Sequence, residues 1–200
     1  MVQDSKQKDQ MLQQHLKEVS ASAQCLYTAS EVNHAYRGIA ETLTQKVANE
    51  NPLCLCVVIG GIIPFGHIMM HLDFPLQMDY VHASRYQGKV VGAAELTWHA
   101  YPKISLKDRV VVLIDDIIDQ GLTLKALVDY AYAQGAKKVL TAVLVDKPEA
   151  RDSAGLAQAD VVGLNIEPMY VFGSGLDYKG YLRNIPGIYA VDPRIIANMA

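Results

Sequence analysis

The chain has 200 residues, 50% of them hydrophobic and 20% charged, with a formal net charge of −3 at pH 7. Such a length and balance fit one globular domain with a sizeable core, and the lack of a Lys/Arg cluster speaks against an electrostatic footprint for nucleic acid. Cysteines number 3, which argues against a disulfide framework, and no apolar stretch is long enough to span a bilayer, so the expectation is a cytoplasmic protein with no membrane partner. Residues 1–20 are polar and Gln-rich, lack the apolar core of a signal peptide, and read as an extension of unassigned role.

Val32, Tyr36, Ile39, Leu43 and Val47 recur at intervals of three and four, which predicts an amphipathic helix from about Ser30 to Asn49 with Ser30 as its cap. Pro52 stops it. Leu53 to Ile59 is a continuous apolar strand, Gly60-Gly61 a turn, and Pro64 suits the first turn of a short helix running to Leu72. Cys54 and Cys56 share one strand face and read as small core residues rather than metal ligands. From Phe74 to His82 apolar and polar residues alternate, as in a strand. Ser84 to Ala94 carries Gly88 and Gly92 and few core residues, so it reads as a long flexible lid loop, with Glu95 to Tyr101 a returning strand. His67, His71, His82 and His99 show no metal-ligand spacing and read as structural.

Residues 110 to 123 are the densest in chemistry. Val110 to Ile114 is the apolar run of a strand buried on both faces, as a parallel sheet covered by helices requires, and ligands bind beyond the carboxyl ends of such strands. Asp115 and Asp116 are expected at that end, where they would accept hydrogen bonds from sugar hydroxyls or hold a hydrated cation, with Asp119 a short turn later. Gly121 suits a positive φ, and Thr123 opens the apolar periodicity of Leu124, Leu127, Val128 and Ala131, so the turn leads into a helix whose free amides welcome an anion. An ordinary strand, turn and helix with Asp119 or Thr123 as N-cap fits the same residues. That helix runs to Gln134, closed by Gly135 at C′. Val139 to Val145, Asp160 to Leu164 and a short piece at Ile188 to Val191 complete the strands. Strands alternating with helices imply an α/β fold with a parallel-rich central sheet flanked by helices.

The 110–123 stretch resembles the phosphoribosyl pyrophosphate (PRPP) signature of type I phosphoribosyltransferases: an apolar strand, two acidic residues, two apolar residues, then Asp-x-Gly-x-Thr. Further matches, in the family's order, are similar to the hypoxanthine-guanine branch: Leu55-Cys56-Val57-Val58-Ile59-Gly60-Gly61, Ser84-Arg85-Tyr86, Leu144-Val145-Asp146-Lys147, Tyr170-Val171, Gly175-Leu176-Asp177-Tyr178 and Arg183. The resemblance implies a type I phosphoribosyltransferase fold with a small hood built from N- and C-terminal segments, and transfer of ribose 5-phosphate from PRPP to hypoxanthine or guanine with Mg²⁺.

Residue by residue, it implies that Asp119 accepts the N7 proton of the purine, and that Asp115 and Asp116 bracket the ribose hydroxyls near a magnesium. Gln120, Gly121, Leu122 and Thr123 would hold the 5′-phosphate. Ile59, Gly60 and Gly61 would hold pyrophosphate together with Arg183 and a cover formed by Ser84, Arg85 and Tyr86. Lys147 would donate to the 6-oxo group, Tyr170 stack on the base and Val171 read the purine edge. Asp177 would lie by the purine and bind a second magnesium. The chain departs from common versions at Ile59 and Leu122, where Lys is frequent, at Gln120, where Thr is frequent, and at Arg85, which separates a usually adjacent Ser-Tyr pair. A homodimer or homotetramer is implied. Two other readings stay open: an enzyme preferring xanthine, and a nucleotide-sensing, RNA-binding regulator on the same fold.

Overall fold

The computed structural model describes residues 2–85 and 96–197. Its first element is a helix, α1 (Val2–Ser22), followed by β1 (Gln24–Tyr27), α2 (Ala29–Val47), β2 (Leu53–Val58), α3 (Ile62–Met69), β3 (Gln77–Arg85) and β4 (Leu96–Ala100). Then come β5 (Val110–Ile118), α4 (Leu122–Ala133), β6 (Lys138–Asp146), β7 (Val161–Asn165), β8 (Val171–Phe172), β9 (Ile188–Ala190) and α5 (Pro193–Ala197).

Six strands form the main sheet in the order β4-β3-β2-β5-β6-β7. All neighbours pair in parallel except β3 and β4. The unbroken apolar run of β5 follows from its central place. Val110, Val112 and Ile114 join the core with α2 residues Tyr36, Ile39 and Leu43, whereas Val111 and Leu113 join the opposite core with Leu124, Leu127 and Ala131 of α4. Each face is therefore dry, and either residue parity must be apolar.

A second, antiparallel sheet of order β1-β9-β8 draws together the two ends of the chain. With α1 and α5 it makes the small hood. Residues 1–20, read from sequence as a bare polar extension, are mostly helix because Leu12, Leu16 and Val19 recur at spacings of four and three and pack on Phe172, Tyr178 and Val191. Such a narrow stripe on a largely polar helix is held by its partner surface.

Three sequence-based boundaries move. The cap of α2 is Thr28, not Ser30: its hydroxyl accepts from the Glu31 amide while the Glu31 carboxylate accepts from the Thr28 amide. This reciprocal pair is a capping box. The strand of Val110 does not stop at Ile114 but runs on to Ile118, because β6 keeps pairing with it as far as Asp146. Asp115 and Asp116 thus sit within the last residues of the strand rather than beyond it. Finally, α4 is preceded by Gly121, so neither Asp119 nor Thr123 is its cap. Gly135, at φ +85°, does end that helix in the left-handed region. Among the described residues no helix is long and apolar enough to cross a membrane.

Candidate active site

Two parallel strands, β2 and β5, end side by side and aim their following turns at one edge of the sheet. Asp115 and Asp116 are each only 8% exposed there. Burial pushes the Asp115 carboxyl well above the usual carboxylate range, and the charge of Asp116 beside it adds to the push. Burial also raises Asp116, against the opposing hydrogen bond with Asp115 and the nearby Arg183 guanidinium. Arg183 spans two carboxylates, with Nη1 at 3.4 Å from Asp116 Oδ2 and Nη2 at 2.7 Å from Asp177 Oδ1. It also donates to the Gly175 carbonyl at 2.5 Å. Asp177 Oδ2 in turn accepts from the Gly180 amide at 2.6 Å.

The turn after β2 lies directly on this carboxylate pair. A Cβ at position 60 would fall 2.2 Å from Asp116 Oδ2, so only glycine lets the backbone come this close. The Val58–Ile59 peptide is cis, and the Ile59 side chain is exposed.

Behind β5 the chain passes through Asp119 and Gln120 into Gly121, whose φ is +79°, and then into α4. A cavity of about 300 Å³ is lined by Asp115 to Leu124, including Gln120, Gly121, Leu122 and Thr123. First-turn amides of a helix have no intrahelical partner, and the helix dipole is positive at this end, so the cavity suits an anion. At Gly121 an added Cβ would meet the Leu156 carbonyl at 2.6 Å in a backbone region that L side chains rarely adopt. Gly121→Ala is expected to lower stability by about 1–3 kcal/mol and to weaken anion binding, read as a lower denaturant midpoint and a higher KM for the phosphorylated substrate.

Sequence reasoning missed Arg151. Its guanidinium donates to the carbonyls of Ile118, Asp119 and Ala157 and pairs with Asp146, clamping the turn from behind. The Leu156 amide adds a bond to the Gly121 carbonyl at 3.0 Å. No periodicity or motif marks Arg151; the two carbonyls by which it holds the turn, those of Ile118 and Asp119, lie 33 and 32 residues away in the chain.

A second cavity, of about 550 Å³, is lined by Asp119, Lys147, Met169, Tyr170, Val191 and Ile196 among others. Asp119 thus faces both cavities. Lys147 is 8% exposed, with Nζ 3.8 Å from Asp119 Oδ2 and its amide donating to Ile118. Tyr170 lies just before β8, and its hydroxyl accepts from the Lys179 amide at 3.2 Å. The Val171 side chain is buried in the core, while its backbone pairs with Ala190. Ser84 lies apart from this cluster in its contacts: its hydroxyl is 2.8 Å from Nε2 of His99 on β4. Arg85 ends β3, and Tyr86 lies outside the described residues.

Among the described residues no three His, Cys, Asp or Glu side chains converge on one point as a metal cage would. A cation here would need ligand oxygens besides those of the protein. The buried pair Asp115 and Asp116 and the half-exposed Asp177 suit a divalent ion that completes its shell with phosphate oxygens and water, as magnesium does.

A strand with a carboxylate pair, an amide-lined turn behind it and a neighbouring cavity are the parts of a pentosyl transferase. Residues 24–179 match the phosphoribosyl transferase domain, and the chain belongs to that family. It is 31% identical over 188 residues, 94% of this chain and 100% of the other, to a hypoxanthine-guanine phosphoribosyltransferase of Streptococcus pneumoniae. With the corresponding enzyme of Bacillus subtilis it shares 31% identity over 170 residues, 85% of this chain and 93% of the other. The fold superposes on a hypoxanthine phosphoribosyltransferase of Staphylococcus aureus with a TM-score of 0.80 at 24% identity, covering 86% of this chain and 92% of that one. These likenesses put it in the hypoxanthine-guanine branch.

Proposed function

We propose that the protein moves the 5-phosphoribosyl group of PRPP to N9 of hypoxanthine or guanine, giving the nucleotide and pyrophosphate in cytoplasmic purine salvage. The observation that carries this reading is the position of Asp119, which lines both the anion cavity and the cavity of Lys147 and Tyr170. An atom bonding across that junction joins what the two cavities hold.

In this reading the 5′-phosphate rests on the amides from Gln120 to Thr123 and on the Thr123 hydroxyl. Asp115 and Asp116 accept from the ribose 2′ and 3′ hydroxyls. The backbone of Ile59, Gly60 and Gly61, with Arg183, faces the leaving pyrophosphate, and Ser84, Arg85 and Tyr86 provide a cover that keeps water from the cation-like sugar. Asp115, Asp116 or Asp177, together with the substrate's own phosphates, would hold magnesium, which would supply positive charge against the leaving pyrophosphate. Tyr170 stacks on the base, the Val171 backbone reads its edge, and Asp119 takes the N7 proton as the bond to N9 forms. The ion pair of Arg183 with Asp177 must open or share its carboxylate when pyrophosphate and metal enter.

Lys147 supplies discrimination at the 6-position. A buried ammonium donates to a 6-oxo group, whereas the amino group of adenine would leave that donor unpaired and costs affinity. Lys147→Gln is expected to raise KM for hypoxanthine by about tenfold or more and to narrow the preference over adenine, as steady-state kinetics with both bases would reveal.

Incubation with PRPP, magnesium and each of hypoxanthine, guanine, xanthine, adenine and uracil tests the whole reading. Nucleotide is expected with hypoxanthine and guanine; turnover confined to xanthine or uracil, or with no base, overturns it. The chain acts as one catalytic domain in this scheme, assembled as a homodimer or homotetramer.

A further inference from the structure

The wall behind Tyr170 is built by a segment that precedes the matched phosphoribosyl transferase domain. The α1 residues Leu12, Leu16 and Val19 pack in one cluster with Tyr170, Phe172, Tyr178, Val191, Ile195 and Ile196. Of these, Tyr170, Val191 and Ile196 also line the cavity shared with Asp119 and Lys147. One side of α1 therefore backs one side of that cavity.

At the centre stands Tyr178, whose side chain is fully buried. Its ring lies 5.4 Å from that of Tyr170, tilted by 35°, and its hydroxyl is hydrogen-bonded to His15 Nε2 of α1 at 2.9 Å. The His15 and Tyr178 rings are themselves 5.7 Å apart. On its other side Tyr170 is tied through its hydroxyl to the Lys179 amide, the residue after Tyr178. An aromatic side chain has two torsions, so a bond at the hydroxyl and a ring against its face leave it little freedom.

We propose that His15 is a positioning residue for the transfer reaction: by holding the Tyr178 hydroxyl it fixes the plane in which Tyr170 meets the incoming base. The proposal rests on the reading of the Lys147 and Tyr170 cavity as the base site. It assigns a task to α1, which the mechanism above does not use. The effect falls on the base and not on PRPP, because the anion cavity and the Gly60 turn are held by other contacts, those of Arg151, Leu156 and Arg183.

The test compares His15→Ala, His15→Gln, Tyr178→Phe and the His15→Ala/Tyr178→Phe double variant in the full chain. His15→Ala is expected to raise KM for hypoxanthine about 5- to 10-fold, the worth of one neutral hydrogen bond in a buried setting, with kcat and KM for PRPP within about twofold of the parent. Glutamine, whose amide reaches a neighbouring hydroxyl, restores most of the loss, and the double variant is no worse than either single one. Equal rises in both KM values, no rise at all, or Gln behaving as Ala would overturn the proposal.

A second measurement needs no substrate. In protein labelled with ring-¹³C tyrosine, with the Tyr170 signal assigned through Tyr170→Phe, that signal moves in His15→Ala and returns toward its original position in His15→Gln. A Tyr170 signal indifferent to His15 overturns the proposal. A signal that moves as expected in a protein that transfers ribose to no purine upholds the linkage and counts against the base assignment alone.

Discussion

Asp119→Asn is expected to cut kcat by about 10²- to 10⁴-fold, the usual contribution of a general base, while leaving the fold and nucleotide binding nearly intact. The Asp119 side chain is 52% exposed, and the Arg151 clamp holds its backbone carbonyl rather than its carboxylate, so the amide is accommodated with only the 3.8 Å pairing to Lys147 weakened. Asparagine keeps the shape and can still face the base, yet it cannot accept the N7 proton.

Lys147 sharpens this prediction. Its Nζ is 3.8 Å from Asp119 Oδ2, so the two side chains that the proposed mechanism sets on the base already stand side by side. In the proposed scheme a 6-oxo group takes the Lys147 donor and leaves the Asp119 carboxylate to N7. Saturating kinetics with both substrates, beside a thermal midpoint within about a degree or two of the parent as expected for an exposed substitution, would show loss of chemistry alone. Near-parental turnover removes Asp119 from the mechanism.

What could be read from sequence was whatever depends on local pattern. The double-sided burial of β5 shows in Val110 to Ile114, and Gly121 announces its positive φ by the company of Asp119 and Thr123. What could not be read depends on pairing across the chain. Asp115 and Asp116 lie inside β5 because β6 continues alongside to Asp146, and no window around the two carboxylates holds that information. Thr28 displaced Ser30 as the cap of α2 because Glu31 is in reach of Thr28 in both directions, a three-residue relation visible in hindsight. The case of α1 is different. Its stripe of Leu12, Leu16 and Val19 is legible but too thin to argue from alone, since its helical state depends on the aromatic surface of the hood.

The site divides along the same line. Residues adjacent in sequence, from Asp115 to Thr123, were found together and do share one cavity. Lys147 and Tyr170 join Asp119 only through the topology, since the β5 and β6 ends are neighbours and the hood folds back over them. Arg151 was invisible because, beside the Asp146 carboxylate, it serves backbone carbonyls, which every residue has.

Asp115→Asn is expected to abolish most transfer while making the ligand-free protein more stable at neutral pH. The Asp115 carboxyl is raised first by burial and then by the charge of Asp116. An unfolded Asp ionises near pH ~4. Between that pH and the higher folded value, the folded chain binds more protons than the unfolded one, so stability falls as pH rises through this window and stays low above it. Asparagine carries no charge to bury, and it can keep the bond that Asp115 Oδ1 accepts from the Asp116 amide at 2.9 Å. The gain in thermal midpoint should therefore be near zero below pH ~4 and grow with rising pH to a few degrees, about 2–4 °C per kcal/mol at this size. If Asp115 takes a sugar hydroxyl and a divalent cation as proposed, PRPP with magnesium should raise the midpoint of the parent more than that of the variant. A variant less stable than the parent at pH 8, or a gain that shrinks as pH rises, would mean that the paired carboxylates are already satisfied without ligand.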